Sequence, residues 1–153
     1  MTLLNFFKTA IHQQLLNGLN DKIAAFESTF EELKESVSNE TKSTAGDKYE
    51  TARAMLHIEQ ENVLRQRANA HKQRIELLSI KHNDQYTTVM LGSLVHTDNG
   101  IFYISIGHGK LLINNVEIIA LSAISPMGKV LLGSSVNETI LYNAIEYLIL
   151  DIN

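Results

Sequence analysis

Two acidic residues, Asp47 and Glu50, stand three positions apart in a short polar stretch between two long helical patterns. At the start of a helix, this spacing places both carboxylates on one face, where they can act together. A polar bend between two helices forms the tip of a hairpin, which can present its charge to a metal or to a basic cleft of another molecule. These residue types therefore indicate acids offered to a partner more than a closed active site.

The same pair of acids also has a purely structural interpretation. Asp47-x-x-Glu50 fits the capping-box pattern, in which Asp47 caps the helix and Glu50 reaches back to its amide, and acids are favoured at a helix start. If Ser43 or Thr44 is the cap instead, both carboxylates stay free in the first turn. The spacing leaves both interpretations open.

Other residues with chemical potential form weaker patterns. His57 and Glu61 stand four apart on one helix face, which suits two ligands of a metal, but no third ligand is evident and a solvated face is the simpler interpretation. Gly107-His108-Gly109 predicts a turn, because it lacks the lysine and the following helix of a phosphate-binding loop. Neither pattern predicts a catalytic site.

The elements that must position Asp47 and Glu50 are two long helices. Apolar residues recur at spacings of three and four before the bend, and at every seventh position after it, as in a coiled-coil seam. The first set is Leu4, Phe7, Ile11, Leu15, Leu19, Ile23, Phe26, Phe30, Leu33 and Val37; the second is Leu56, Val63, Ala70 and Leu77, flanked by Leu64, Ile75 and Leu78. Gly18 interrupts the first seam, but the periodicity on both sides predicts a continuous helix. The patterns predict an antiparallel hairpin over residues 1–82 with its tip near 39–50, each arm roughly 50 Å long.

Charge is distributed unevenly along the predicted hairpin. Acidic residues gather near the bend, and basic residues gather at the far end of the second helix, which we call the basic shank: Arg65, Arg67, Lys72, Arg74 and Lys81. The simpler interpretation is two solvated helix faces. The alternative is that the basic shank meets phosphate or an acidic protein surface.

The composition is that of a folded chain of one domain or two small ones. The sequence has 153 residues, of which 44% are hydrophobic, and a formal net charge of −4. It has no cysteine, which excludes disulfides, thiol nucleophiles and cysteine-ligated metals. No apolar run is long enough to span a membrane, and the first residues do not resemble a signal peptide. We therefore expect a cytoplasmic protein without a membrane partner.

Residues 83–153 alternate in the manner of β-strands. We expect strands at 89–95, 101–106, 111–113, 116–119, 139–142 and 145–152, with turns at Asp98-Asn99-Gly100 and Asn114-Asn115. Between them, Ser125, Pro126 and Gly133 predict a short helix with its N-cap, first residue and terminator. The predicted fold class is α+β: a helical hairpin followed by a small, mostly antiparallel β domain with one short helix.

The stretch IIALSAISPMGKVLLG from Ile118 to Gly133, followed by Val136-Asn137-Glu138-Thr139-Ile140, resembles the C-terminal domain of the bacterial Gre transcript-cleavage factors. In that family a strand leads into a Ser-Pro helix and then through a short acidic turn into another strand. Gly46-Asp47-Lys48-Tyr49-Glu50 falls where the family's coiled-coil tip carries Gly-Asp-x-x-Glu. The resemblance covers nearly the whole chain and implies an FKBP-like C-terminal domain.

The resemblance also implies a mechanism and a partner. Gre hairpins enter the secondary channel of RNA polymerase, where the tip acids help to hold a catalytic Mg²⁺ for cleavage of backtracked RNA. Asp47 and Glu50 would take that role, with no cofactor of the chain's own and no enzymatic activity apart from the polymerase. Ser125, Pro126, Lys129 and Arg53 would contact the polymerase, and the basic shank could meet nascent RNA.

The sequence departs from the Gre pattern after the second acid. Thr51-Ala52-Arg53-Ala54 stands where cleavage factors usually have Asn-Ala-Glu-Tyr, and Lys129 stands where an arginine is common. Two alternatives therefore stay open beside a cleavage factor. One is a regulator that binds the polymerase without promoting cleavage, and the other is a self-associating coiled-coil protein. We expect a monomer or a weak homo-oligomer.

Overall fold

The computed structural model describes residues 3–41 and 46–153, and the side chains of residues 6–39 and 50–153. Two long helices come first: α1 spans Leu3–Thr41 and α2 spans Gly46–Ser79. The α1 helix runs through Gly18 without a break, as the periodicity predicts. In the described part of the chain, neither helix has an apolar stretch long enough to cross a membrane.

The chain divides into two compact units. One, the helical unit, consists of Asn17–Ile75; the other, the sheet unit, combines Met1–Leu16 with Glu76–Asn153. Each long helix therefore contributes to both units. The sheet unit contains the first turns of α1 as well as every strand.

Within the helical unit, side chains of the two helices meet in antiparallel order. Arg74 Nε donates a 2.7 Å hydrogen bond to Asn20 Oδ1, and the Arg67 guanidinium lies 5.7 Å from the ring centre of Phe30. Asn20 thus contacts Arg74, whereas Phe30, which lies later in α1, contacts Arg67, which lies earlier in α2. The seam residues Leu19, Ile23 and Ala70 are buried, whereas the flanking Leu64 and Ile75 are exposed. Leu78, which flanks the seam in the sheet unit, is exposed as well.

The sheet unit holds six strands and one short helix. The strands are β1 (Leu94–Thr97), β2 (Gly100–Ser105), β3 (Gly109–Ile113), β4 (Val116–Ser122), β5 (Thr139–Tyr142) and β6 (Ile145–Ile152). Their order in the sheet is β3-β4-β2-β1-β6-β5. All neighbouring pairs are antiparallel except β2 with β4, which run parallel with Phe102 opposite Ile119. The α+β class is confirmed, and the sheet is mixed, though mostly antiparallel.

The short helix α3 (Pro126–Leu131) begins and ends at the predicted residues. The Ser125 hydroxyl accepts the Gly128 amide at 3.1 Å and donates to the Ser122 carbonyl at 2.6 Å, and Pro126 occupies the first turn. Gly133 follows the last turn with φ +83°, a conformation that favours glycine. Met127 and Leu131 of α3 pack into the core of the sheet unit.

The predicted first strand, 89–95, is wrong in its bounds. The strand begins only at Leu94 because Gly92 has φ +96° and the buried Ser93 side chain accepts the Met90 amide, which together form a turn. The Gly92 amide and the Ser93 carbonyl then bond to Ile104 of β2. A local turn thus replaces the first half of the expected strand.

Replacing Gly18 with alanine should stabilise the protein by about 1 kcal/mol, since alanine is the better helix former. No heavy atom lies within 4 Å of the position where the new methyl group would stand. Urea unfolding followed by far-UV circular dichroism measures the change. Gly133→Ala is the matched control and should destabilise, because its backbone is in the left-handed region. A loss of stability in Gly18→Ala would contradict the expectation.

Candidate functional site

The predicted tip acids lie at the start of α2. The helix begins at Gly46, so Asp47 and Glu50 both fall in its first turns, and the Glu50 side chain is exposed. The side chain of Asp47 lies outside the described residues, as do Ser43 and Thr44. The choice between a helix cap and two free carboxylates therefore stays a prediction.

The first turns of α2 that follow the acids are solvent-exposed. Arg53 stands three residues after Glu50, and both side chains are exposed on the helix. Residues three apart on a helix are surface neighbours, so a cation at this place reduces the net negative charge beside Glu50. His57 and Glu61 are also exposed, and the described residues contain no group of three side chains able to hold a metal.

The basic shank is partly engaged with the hairpin itself. Arg67 lies over Phe30, Arg74 bonds to Asn20, and Arg65 Nη1 donates a 3.3 Å hydrogen bond to Asn62. Lys72 and Lys81 have exposed side chains. Three of the five cations thus contribute contacts along the helices, which supports the structural interpretation of the charge gradient for those three.

Of the three predicted docking residues at α3, Ser125 caps the helix, whereas Pro126 and Lys129 lie on the surface. The Ser125 hydroxyl is held between the Gly128 amide and the Ser122 carbonyl, so its first role is to start the helix. Pro126 and Lys129 are exposed. A partner that docks on α3 would therefore meet the proline ring and the lysine ammonium, while Ser125 fixes the helix that presents them.

The sheet unit also contains a buried polar cluster that the sequence interpretation missed. Lys8 of α1 is fully buried, and its Nζ donates to the main-chain oxygens of Asp84 at 2.9 Å and Asn153 at 3.0 Å. The same ammonium lies 4.7 Å from the ring centre of Tyr86. Carbonyl dipoles and an aromatic face thus surround this cation.

One turn further along α1, His12 joins the same cluster. Its Nδ1 lies 2.8 Å from the hydroxyl oxygen of Tyr103, and its ring stacks on that of His82 with centres 4.0 Å apart. Only 5% of His12 and none of Tyr103 is exposed. The Tyr86 hydroxyl donates to the Lys81 carbonyl at 2.9 Å, which holds the chain after α2 in place.

Burial controls the protonation of these groups. It lowers the pKa of Lys8 to about 8, although the Asp84 carboxylate acts in the opposite direction. Burial, followed by the nearby His82 and Lys8, lowers the pKa of His12 to about 4. Burial also raises the pKa of Tyr103. Near neutral pH the cluster therefore holds a cationic lysine, a neutral imidazole and a neutral phenol.

This arrangement is suited to joining elements more than to performing a reaction. It links the first turns of α1 to the segment after α2, to β2 and to Asn153. The hydrogen bonds of Lys8 to Asn153 and of His12 to Tyr103 are buried. The sequence shows only that Lys8 and His12 lie beside the apolar seam, since they recur with Leu15 and Leu19 at spacings of four, three and four.

Comparisons of the chain with protein-family models, with curated proteins and with solved structures gave no match.

Proposed function

We propose that this chain is a Gre-like factor that binds bacterial RNA polymerase and inserts its hairpin tip into the secondary channel. The observation that carries the proposal is the position of Asp47 and Glu50 in the first turns of α2, a helix of 34 residues that follows the 39-residue α1 in the chain. The Ser-Pro helix of the sheet unit adds support, since it follows β4 as the resemblance requires. The finer expectations, a coiled-coil hairpin and an FKBP-like β domain, belong to this proposal.

The chemistry of the proposal requires little from this chain beyond two placed carboxylates. Mg²⁺ keeps most of its waters and is bound by one or two carboxylates, so Asp47 and Glu50 could share a metal ion with acids of the polymerase. Two metal ions stabilise the attacking and leaving oxygens in phosphodiester cleavage. The polymerase's own active site performs the reaction, so this chain is not itself an enzyme and has no resident cofactor.

Docking in this proposal uses surfaces of both units. Pro126 and Lys129 on α3 are exposed for a protein partner, with Ser125 holding the helix, and Arg53 is exposed beside the tip. Of the basic shank, Lys72 and Lys81 are the exposed lysines that could meet nascent RNA. The factor would act in the cytoplasm as a monomer or weak homo-oligomer.

A second function, polymerase binding without cleavage, has one observation in its favour. Arg53 replaces an acid of the family pattern and is exposed three residues from Glu50. A cation at that position competes with Mg²⁺ for the Glu50 carboxylate and reduces the negative charge that attracts the ion. Such a protein would occupy the channel as a regulator.

Cleavage in stalled elongation complexes separates these functions. Added protein should accelerate shortening of backtracked RNA by the polymerase of its own source, and Asp47→Ala with Glu50→Ala should abolish the acceleration, since placed groups at two-metal sites contribute on the order of 100-fold or more. Glu59→Ala with Glu61→Ala is the matched control, because it removes the same charge from exposed positions further along α2. The control should keep full activity.

A pull-down of the polymerase accompanies the cleavage assay. Retained binding by the Asp47 and Glu50 double variant would assign the loss of cleavage to chemistry at the tip. Binding by the wild type without any cleavage would establish the regulator instead. Failure to bind the polymerase, together with a concentration-dependent dimer in sedimentation, would favour the self-associating coiled-coil protein and reject both polymerase functions.

A further inference from the structure

We propose that His12, Tyr103 and His82 form an acid-sensitive latch that holds the first turns of α1 against the rest of the sheet unit and releases them when His12 is protonated. The latch is independent of the proposed function, because every residue in it belongs to the sheet unit. It would make the conformation of this chain respond to low pH, a response that Asp47 and Glu50 do not supply.

The latch depends on an imidazole enclosed by three elements. His12 comes from α1, Tyr103 from β2 and His82 from the segment after α2. The His12 ring meets the Tyr103 ring edge to face at 6.2 Å and stacks on His82 with an angle of 13° between the planes. A ring held on two sides in this way has no room to turn towards water without the separation of α1 from its neighbours.

The charges that face His12 make a second positive charge unfavourable there. On its own helix, the fully buried Lys8 ammonium lies one turn away. On the segment after α2 stand His82, Asp84 and Tyr86, and β2 contributes the neutral Tyr103. The Asp84 side chain is exposed, and among the described residues no ion pair joins it to this cluster. An imidazolium at this site would therefore stand beside a like charge, and among the described residues no Asp or Glu side chain is buried with it.

Protonation also changes the hydrogen bond that closes the latch. A neutral imidazole can accept the Tyr103 proton at Nδ1, whereas an imidazolium carries a proton on both nitrogens and can only donate. A charge without full hydrogen bonding is costly to bury, so the ring is better solvated outside the cluster. Opening exposes His12 and Lys8 together, and with them the apolar residues Ile11 and Leu15.

Local hydrogen exchange and NMR titration of the full chain test the latch. We expect the His12 ring of the wild type to stay neutral down to about pH 5, because burial lowers its pKa to about 4. After correction for intrinsic rates, protection of amides 6–16 should fall by about tenfold or more between about pH 7 and pH 5. Amides of β2 should change less.

His12→Asn is the variant that isolates the titration. The asparagine amide places a polar atom near the position of Nδ1 and does not titrate, so protection of amides 6–16 should become independent of pH in this range. His71→Asn, on an exposed face of α2, is the matched control and should behave as the wild type. An ordinary titration of His12 near 6.5, or acid opening that persists in His12→Asn, would overturn the latch. The wild-type titration decides the point even if His12→Asn does not fold.

Discussion

Replacing Gly128 with alanine should destabilise the sheet unit by about 3 kcal/mol or more, one of the largest effects of a single methyl group in this protein. A methyl group at this position would stand 2.1 Å from the Ser122 carbonyl oxygen and 2.9 Å from the Ser125 hydroxyl. Both atoms belong to the cap of α3, so neither can move without loss of the hydrogen bonds that start the helix. Displacement of α3 would in turn withdraw Met127 and Leu131 from the core.

Tyrosine signals measure this effect in the unit concerned. The chain has no tryptophan, and four of its five tyrosines, Tyr86, Tyr103, Tyr142 and Tyr147, lie in the sheet unit. Near-UV circular dichroism during urea unfolding therefore follows that unit, whereas the far-UV signal is dominated by the long helices. Gly107→Ala is the matched control, because no heavy atom lies within 4 Å of its new methyl group. Equal stability of the two variants would contradict the steric argument.

The α3 region shows which parts of the fold the sequence could predict. Ser125, Pro126 and Gly133 act locally, through a side-chain cap, a fixed φ and a left-handed backbone, so their positions could be assigned without knowledge of the tertiary structure. Gly128 is different. A side chain at position 128 would clash with the Ser122 carbonyl at the end of β4. This close approach is created by the packing of α3 against the strand.

In the sheet, too, local turns could be predicted from the sequence, whereas contacts between distant strands could not. The turn residues Asn114 and Asn115 have positive φ, which short amide side chains tolerate, and they mark the β3–β4 hairpin in the sequence. The parallel pairing of β2 with β4 brings together strands that are separated by β3 in the chain, and alternation of apolar residues does not specify it. The turn at Gly92 and Ser93 likewise depends on Ile104 of another strand.

Among the functional residues, the helix-start position of the tip acids could be predicted from the sequence, whereas the buried polar cluster could not. Asp47 and Glu50 could be placed at the start of a helix from their neighbours, and α2 does begin at Gly46. Lys8 and His12 could not be assigned to a buried cluster, because polar side chains beside an apolar seam are normally exposed. Their burial depends on hydrogen-bond partners from 76 to 145 residues away, which are Asp84, Tyr103 and Asn153.

The buried Lys8 predicts a rise in stability with pH, by about 2 kcal/mol between about pH 8 and pH 10. Burial lowers the pKa of Lys8 to about 8 from 10.5. Below pH 8 the amine is charged in both the folded and the unfolded chain, so the cost of burying the charge is constant. Above pH 8 the folded chain loses the proton while the unfolded chain keeps it, so the free energy of unfolding increases with pH. Above about pH 10 the trend reverses, since Tyr103, whose pKa is raised, ionises only after unfolding.

Urea unfolding at several pH values, followed by tyrosine near-UV circular dichroism, measures this slope, and Lys8→Met should remove it. Methionine has a similar length and no charge, but it leaves the Asp84 and Asn153 oxygens without their donor, so the slopes are compared and not the absolute stabilities. Lys72→Met, at an exposed position of α2, is the matched control and should keep the wild-type slope.

A wild-type stability that falls steadily from pH 8 upward would show that the Lys8 ammonium is not held away from water. A slope that persists in Lys8→Met would assign the proton to another group. Loss of the slope in Lys8→Met, but not in Lys72→Met, would establish that the Lys8 ammonium is buried at a cost to stability. That cost is the condition under which protonation of the neighbouring His12 can open the latch.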